Sequence, residues 1–313
     1  MGEVVEAIRV FFSHLADVDL RYLALGLGVH VLKTMCTARA WRNVIAAAHP
    51  DERVRWRSIY AAYLSGVGVN AIVPARGGDV LRLYLAHRAV PAATYTTLAS
   101  TYLVMSIFDS SASLVFFAYA LTLGVLPSLS VLPELPAFDF SWLFAHQQVT
   151  SVLLVLLLIG FAAAVVWAVE RIDDFWSRVA RAFTVLRPPA RYLRGVAFWQ
   201  ACDWGLRLAA IWCFLGAFHV AQSAGNVALV QVTQSLATLA PVTPGGVGTE
   251  QAFLVYVFRG TVSESRLLAF SVGMRVAITA VNVALGFLAI FLTLRTFRFR
   301  RHVDAAAAGR ARP

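Results

Sequence analysis

Charged side chains are scarce in this sequence. They make up 14% of its 313 residues, whereas hydrophobic residues make up 59%. A soluble globular domain usually carries about 25% charged and 45–50% apolar residues. Together with a mean hydropathy of +0.69, this shortage excludes a soluble enzyme, a disordered chain and a coiled coil. It predicts a single integral membrane domain over residues 1–313.

Lysine is almost absent as well. Lys33 is the only lysine among the 27 basic residues, and the formal net charge is +10. The arginines lie between apolar runs, as in proteins that cross a bilayer several times, so we expect no nucleic-acid partner. Guanidinium groups pair with phosphate through two parallel hydrogen bonds, which favours membrane lipids with anionic headgroups as partners.

The sequence also lacks the common signatures of catalysis. Its three cysteines, Cys36, Cys202 and Cys213, form no CxxC pair, which excludes a disulfide framework and a thiolate metal site. No GxSxG, Walker A or HExxH motif is present. His14 and Asp19 have a spacing found in some acyltransferases, but no companion motif. We therefore expect no enzymatic activity, no cofactor and no metal site; an intramembrane enzyme is the least favoured alternative.

Five apolar runs have about the length that crosses a bilayer, roughly 20 residues. They cover residues 20–40, 93–126, 149–169, 196–219 and 267–294. We expect residues 1–17 to form an amphipathic entry helix on the membrane and residues 296–313 to form a basic cytoplasmic tail. Tryptophans such as Trp41 and Trp56, near the ends of runs, are interpreted as interface anchors.

The distribution of arginine predicts the orientation. The basic segments, residues 39–57, 171–194 and 295–312, should be cytoplasmic, whereas residues 127–146 contain no lysine or arginine and should be outside. The stretch from Arg76 to Arg88 is basic too, so the apolar segment before it must enter the membrane and return. Counting membrane crossings in the same way predicts that residues 226–260 form a second re-entrant hairpin, which enters from the outside.

These segments form an internal repeat. The first copy spans residues 18–126, the second spans residues 194–295, and the span at 149–169 links them. The hairpin tips read alike, as Pro74-Ala75-Arg76-Gly77-Gly78 and Pro241-Val242-Thr243-Pro244-Gly245-Gly246. The predicted fold is an all-α polytopic membrane protein, an inverted repeat of span–re-entrant hairpin–span units whose broken helices meet near the midplane. A bacterial or archaeal cytoplasmic membrane is the expected location.

The two tips are the strongest candidate site. A new helix should follow each tip, capped by Asp79 or Thr249, and helix N-termini favour anions such as phosphate. Arg76 and Arg82 would add charged donors. Ordinary interfacial turns are the alternative. The candidate lipid-headgroup residues are Arg76, Gly77, Gly78, Asp79, Arg82, Gly245, Gly246, Gly248, Thr249, Glu250 and Arg275.

Polar residues inside the apolar runs form a second set of candidates, because such residues usually face a cavity or a partner. They are His30, Lys33, Asn70, Asp109, Asp203 and Arg207. Asp203 and Arg207 lie one helical turn apart and either neutralise each other or act in function. Asp109 needs an arginine or backbone partner from elsewhere. Glu250 either stabilises a helix N-terminus, pairs with an arginine such as Arg275, or carries a proton.

Three motifs resemble a known family. They are Arg39-Ala40-Trp41-Arg42, residues 70–82 around the first tip, and residues 239–250 around the second. The chain is similar to the flippase-like membrane proteins related to the transmembrane region of lysylphosphatidylglycerol synthase. The resemblance implies movement of anionic or polyprenyl-linked lipids between leaflets, with Arg275 at a position where the family usually has arginine. The resemblance does not imply synthase activity, because in the aminoacyl-lipid synthases of this family catalysis resides in a soluble domain separate from the transmembrane region.

The chain departs from that family at two places. Met105 and Ser106 stand where members usually carry a Glu-Arg pair, just before the aspartate that corresponds to Asp109. Members also often have one more N-terminal span; either the start is truncated here or the amphipathic segment 3–16 substitutes for that span. The function expected from the sequence is lipid translocation. The alternative is a non-transporting accessory subunit of a lipid-modifying or cell-envelope glycosyltransferase system.

The topology can be tested by labelling. Single cysteines at Ser130 and Gln222 should react with an impermeant reagent added to intact cells, because the arginine asymmetry places both positions outside. A cysteine at Ala180 serves as the inward control. Labelling at Ala180 in intact cells would overturn the inverted-repeat interpretation.

Overall fold

The computed structural model describes residues 13, 17–73, 76–122, 180–186, 189–239, 249–258 and 262–310. The regular structure in these ranges is entirely helical, which confirms the all-α expectation. The helices are α1 (Leu20–Ala48), α2 (Trp56–Asn70), α3 (Gly77–Ala89), α4 (Tyr95–Thr122), α5 (Pro189–Tyr192), α6 (Phe198–Ala217), α7 (Ala224–Leu239), α8 (Thr249–Val257) and α9 (Glu264–Arg310). A π turn, Leu193–Ala197, joins α5 to α6.

The helix bounds lie close to the predicted segments, with two exceptions. The first predicted span ends at residue 40, but α1 continues to Ala48 and includes Arg42. Arginine and alanine are good helix formers, and no breaker occurs before Pro50. Similarly, α9 continues beyond the predicted span into the basic tail. Most of the predicted entry helix, the linker span 149–169 and the second tip, with Gly245, Gly246 and Gly248, lie outside the described residues.

Two described helices are long and apolar enough to cross a bilayer, judged by length and composition. They are Tyr95–Phe116 of α4 and Glu264–Thr293 of α9. Helices α1 and α6 are also long, but each carries ionisable side chains. These two helices pack against each other rather than presenting all their faces to lipid.

Helices α1 and α6 run antiparallel along their whole length. The N–H of Asp19, which caps α1, donates to the carbonyl of Ala217 at 2.9 Å. Near the middle of both helices Lys33 meets Asp203, and at the other end the Asn43 amide donates to the Gly195 carbonyl at 2.6 Å. Residue numbers therefore rise on α1 as they fall on α6.

Two apolar cores lie toward opposite ends of this helix pair. The first contains Trp41 and Ile45 of α1 together with residues of α2, α3 and α4. The second contains Phe214 of α6 together with residues of α7, α8 and α9, including Leu254 and Phe270. Each core is built mainly from one half of the chain, so the α1–α6 pair connects two packed units.

Glycines allow the closest helix contacts. A Cβ atom added to Gly68 of α2 would lie 2.7 Å from the Cα of Gly286 in α9. Within the first hairpin, a Cβ on Gly78 would lie 2.1 Å from the carbonyl oxygen of Gly66. Both distances are shorter than van der Waals contact, so these helices could not approach so closely with any larger residue.

Replacing Gly68 by alanine should therefore separate α2 from α9. We expect Gly68→Ala to destabilise the protein by about 1–3 kcal/mol, as overpacking usually does, measured by thermal unfolding of the purified protein in detergent. Gly205→Ala is the matched control, because a Cβ at Gly205 of α6 meets nothing within 4 Å and should leave stability unchanged or raise it. Equal effects of the two substitutions would contradict the packing argument.

Candidate functional site

A polar cavity of about 540 Å³ lies among α1, α2, α3, α4 and α6. Seven ionisable side chains that should avoid a membrane interior line it. They are the basic residues Lys33, Arg76, Arg82 and Arg207 and the acidic residues Asp79, Asp109 and Asp203. With four positive and three negative charges, the cavity carries a net charge of +1.

Asp203 is the centre of the charge network on the α1–α6 side. Lys33 Nζ lies 3.5 Å from Asp203 Oδ1, and Arg207 Nη2 lies 3.4 Å from Asp203 Oδ2. The Thr37 hydroxyl also donates to Asp203 Oδ1. The Asp203–Arg207 pair expected from the sequence is present, and Lys33 joins it from the neighbouring helix.

The start of α3 is capped from across the hairpin. Asp79 was predicted to be the cap, but Arg76 occupies the N-cap position and Asp79 is the third helical residue. The side-chain oxygen of Asn70 accepts a hydrogen bond from the N–H of Gly78 at 2.8 Å, and its amide donates to Asp79 Oδ1 at 2.9 Å. Asn70 can do this because the chain folds back on itself, which brings the end of α2 beside the start of α3.

Arg76 and Arg82 have different surroundings. The Arg82 guanidinium lies 4.1 Å from the ring centroid of Tyr102 and 5.6 Å from those of Trp41 and Tyr63. Its Nη2 donates to Asp79 Oδ1 at 3.0 Å, so cation–π contacts and an ion pair hold it in place. Arg76, by contrast, has an 88% exposed side chain, 3.8 Å from Asp79.

Strain marks the position of Arg76. Its φ angle is 59°, in the left-handed region that non-glycine residues seldom adopt. Such conformations cost about 1–3 kcal/mol and are concentrated at functional sites. The backbone thus holds the most exposed cation of the cavity at the first residue before α3.

Asp109 finds its partner on α6, but that partner is a tryptophan rather than the expected arginine or backbone group. Trp204 Nε1 donates to Asp109 Oδ1 at 3.0 Å. The same indole stacks on Phe116, and the Arg207 guanidinium lies 4.5 Å from its ring centroid. Trp204 therefore connects the carboxylate of Asp109 to the network around Asp203.

The second hairpin contains a separate ion pair. Arg275 Nη1 lies 3.2 Å from Glu250 Oε2, so the pairing considered from the sequence is present. Gln234 of α7 donates to the other carboxylate oxygen of Glu250 at 3.2 Å. Neither Glu250 nor Arg275 lines the polar cavity. Thr249 is the first residue of α8. His30, a candidate from the apolar runs, hydrogen-bonds to Asn282 of α9 at 3.0 Å.

The aromatic wall of the cavity was not predicted from the sequence. Trp41 was interpreted as an interface anchor, but its side chain is buried and its Nε1 donates to Thr101. Tyr63, Tyr102 and Gln200 were not singled out at all. The available signal was Arg82, because a buried guanidinium needs aromatic or acidic partners. A single sequence does not reveal which helices supply them.

These features together define a class of protein. The helices enclose a cavity lined by paired charges and aromatic rings, and two helices are apolar enough to span a bilayer, as in a helical membrane protein with a polar interior site. A family model described as the lysylphosphatidylglycerol synthase TM region matches residues 7–286, and the chain belongs to this family. No curated protein and no solved structure matches the chain. Membership indicates a role connected with membrane lipids.

Removing the carboxylate of Asp203 should be more harmful than removing the amine of Lys33. Asp203→Asn leaves two cations facing each other with no anion between them, and we expect a loss of about 3–5 kcal/mol. Lys33→Met leaves Asp203 paired with Arg207 and should cost less. Thermal unfolding in detergent measures both, with the exposed loop substitution Asp51→Asn as the control. Asp203→Asn unfolding at the same temperature as Asp51→Asn would contradict this network.

Proposed function

We propose that the protein binds the anionic headgroup of a membrane lipid in the polar cavity and moves that lipid between leaflets. The observation that carries the proposal is the cavity's net charge of +1, together with the exposed guanidinium of Arg76. Anionic phospholipids carry a phosphodiester with a single negative charge, which would complete the charge balance.

The geometry of the ion pairs indicates which cation is held least tightly. Asp203 balances one of its two cations, Lys33 and Arg207, and Asp109 lies in the same network through Trp204. Asp79 makes its closer contact with Arg82, at 3.0 Å, and its longer contact with Arg76, at 3.8 Å. Arg76 can therefore turn toward a phosphate without leaving the half-buried carboxylate of Asp79 unpaired.

The cavity also suits a headgroup in other respects. Its volume lies within the range of about 300–1,000 Å³ that is typical of ligand pockets. The ring of Tyr102 and those of Trp41 and Tyr63 hold Arg82 rigidly, so this cation would offer a preorganised donor near the phosphate. A fixed cation and a movable one together would let the site bind the headgroup and release it.

We also propose that the protein has the inverted-repeat architecture of a transporter. In support, the packing of the first four helices has counterparts in the second half: α2 contacts α9 as α7 contacts α4, and α1 contacts α2 as α6 contacts α7. The antiparallel α1–α6 pair is the arrangement that opposite topology requires. Two-fold related units of this kind can rock around a fixed site.

The lengths of the hairpin helices support re-entrant segments. Helix α2 has 15 residues and α3 has 13, which correspond to about 22 Å and 20 Å at 1.5 Å per residue. Both are shorter than the bilayer core of about 30 Å. In this proposal the Glu250–Arg275 pair of the second hairpin is a charge contact that opens or closes during transport.

The proposal is tested by substituting Arg76. In proteoliposomes, Arg76→Ala should slow the movement of fluorescent phosphatidylglycerol about tenfold or more, because a charge-assisted hydrogen bond is lost. Movement of phosphatidylcholine should change less. Arg76→Lys should be intermediate, since it keeps the charge but loses the bidentate fork.

Arg57→Ala is the matched control, because Arg57 is an exposed arginine at the start of the same hairpin and does not line the cavity. It should move phosphatidylglycerol at the wild-type rate. A wild-type protein that moves no lipid, or an Arg76→Ala variant as active as Arg57→Ala, would refute the proposed function.

A further inference from the structure

A second cavity, separate from the first, lies at the C-terminal end of α1. It has a volume of about 640 Å³ and is bounded by α1, by Pro50 after it, and by the segment from α5 through the π turn. Three of its lining residues are arginines, Arg42, Arg191 and Arg194, and none of its lining residues is acidic.

The charges of this cavity are not balanced as they are in the polar cavity. Arg42 Nε donates to the Val54 carbonyl at 2.9 Å and Nη1 donates to Asn43 Oδ1 at 3.2 Å, so Arg42 is held by neutral acceptors. Arg191 and Arg194 are exposed, and no described carboxylate forms a salt bridge with them. Three like charges around one hollow repel each other unless an anion lies between them.

The local backbone fixes this arrangement. The π turn Leu193–Ala197 is a wider helical turn at the point where α5 meets α6, and such turns occur frequently at functional sites. The Gly195 carbonyl within it accepts the hydrogen bond from Asn43, one residue after Arg42. That bond brings two segments far apart in sequence, one carrying Arg42 and the other carrying Arg191 and Arg194, to the same hollow.

We propose that this arginine cavity binds a phosphate group at the cytoplasmic face, independently of the polar cavity. Arginine binds phosphate bidentately, and the three guanidinium groups supply both positive charge and several N–H donors for the negatively charged oxygens of a phosphate ester. Both contributing segments are predicted to be cytoplasmic from their arginine content. The phosphate belongs either to a lipid headgroup of the inner leaflet or to a soluble phosphate-bearing molecule.

The two sources are separated by two measurements on the full-length protein in zwitterionic detergent. Native mass spectrometry counts molecules of phosphatidylglycerol, with phosphatidylcholine as the neutral comparison. Isothermal titration calorimetry measures binding of inorganic phosphate. The test variant is the double substitution Arg191→Gln and Arg194→Gln, which should fold normally because both side chains are exposed; a thermal midpoint equal to that of the wild type verifies this.

The control is Arg55→Gln with Arg57→Gln, which removes the same charge from exposed arginines outside both cavities. We expect the test variant to lose one bound phosphatidylglycerol or to weaken inorganic phosphate binding about tenfold or more, while the control binds as the wild type does. Arg191→Lys with Arg194→Lys should retain part of the affinity.

The loss of binding caused by Arg191→Gln with Arg194→Gln should also be seen in an Arg76→Ala background, in which the proposed contribution of the polar cavity is removed. Failure of one site is therefore distinguishable from failure of the other. Saturable phosphatidylglycerol binding that is lost in the Arg191→Gln and Arg194→Gln variant identifies a lipid source, and saturable phosphate binding lost in the same variant identifies a soluble one. Absence of saturable binding in both measurements, or an equal loss in the control, would overturn the proposal and leave these arginines as signals of membrane orientation.

Discussion

The structure depends most on the contacts of the Asp203 carboxylate. It lies buried between α1 and α6 and accepts contacts from Lys33, Thr37 and Arg207. These helices connect the two apolar cores, so the same side chain that balances the interior cations also fixes the pair on which both halves pack. Breaking a buried ion pair is costly because it leaves a charge without a partner in a medium that solvates charge poorly.

The first hairpin also depends on a small set of linked hydrogen bonds. Asn70 joins α2 to α3 by accepting from Gly78 and donating to Asp79, and Asp79 in turn orients Arg82 against its aromatic rings. The helix N-terminus is thus partly satisfied by the protein itself. An incoming anion would be attracted mainly by guanidinium groups, with the helix dipole as a smaller contribution.

Much of the fold was predictable because apolar runs, arginine-rich segments and Gly-Pro tips are local signals. They located α2 to α4 and α6 to α8 within a few residues, although α1 and α9 extend beyond their predicted spans, and they selected Arg76, Asp79 and Arg82 beside a hairpin tip. Predictions that depended on which residues are neighbours in space were less accurate. Trp41 was assigned to the membrane interface, Asp79 was assigned as a cap, and Asp109 was expected to meet arginine or backbone rather than Trp204.

The sequence by itself determined that this chain is helical, apolar and basic, since these properties depend on composition and periodicity. Only the tertiary structure decided which charges meet. Lys33 and Asp203 are far apart in the chain, as are Arg42 and Arg194, and their distances depend on how α1 packs against α6 and the π turn. Whether a buried cation is neutralised or free to bind an anion is decided within a few ångströms, because electrostatic interactions are strongest between close partners away from water.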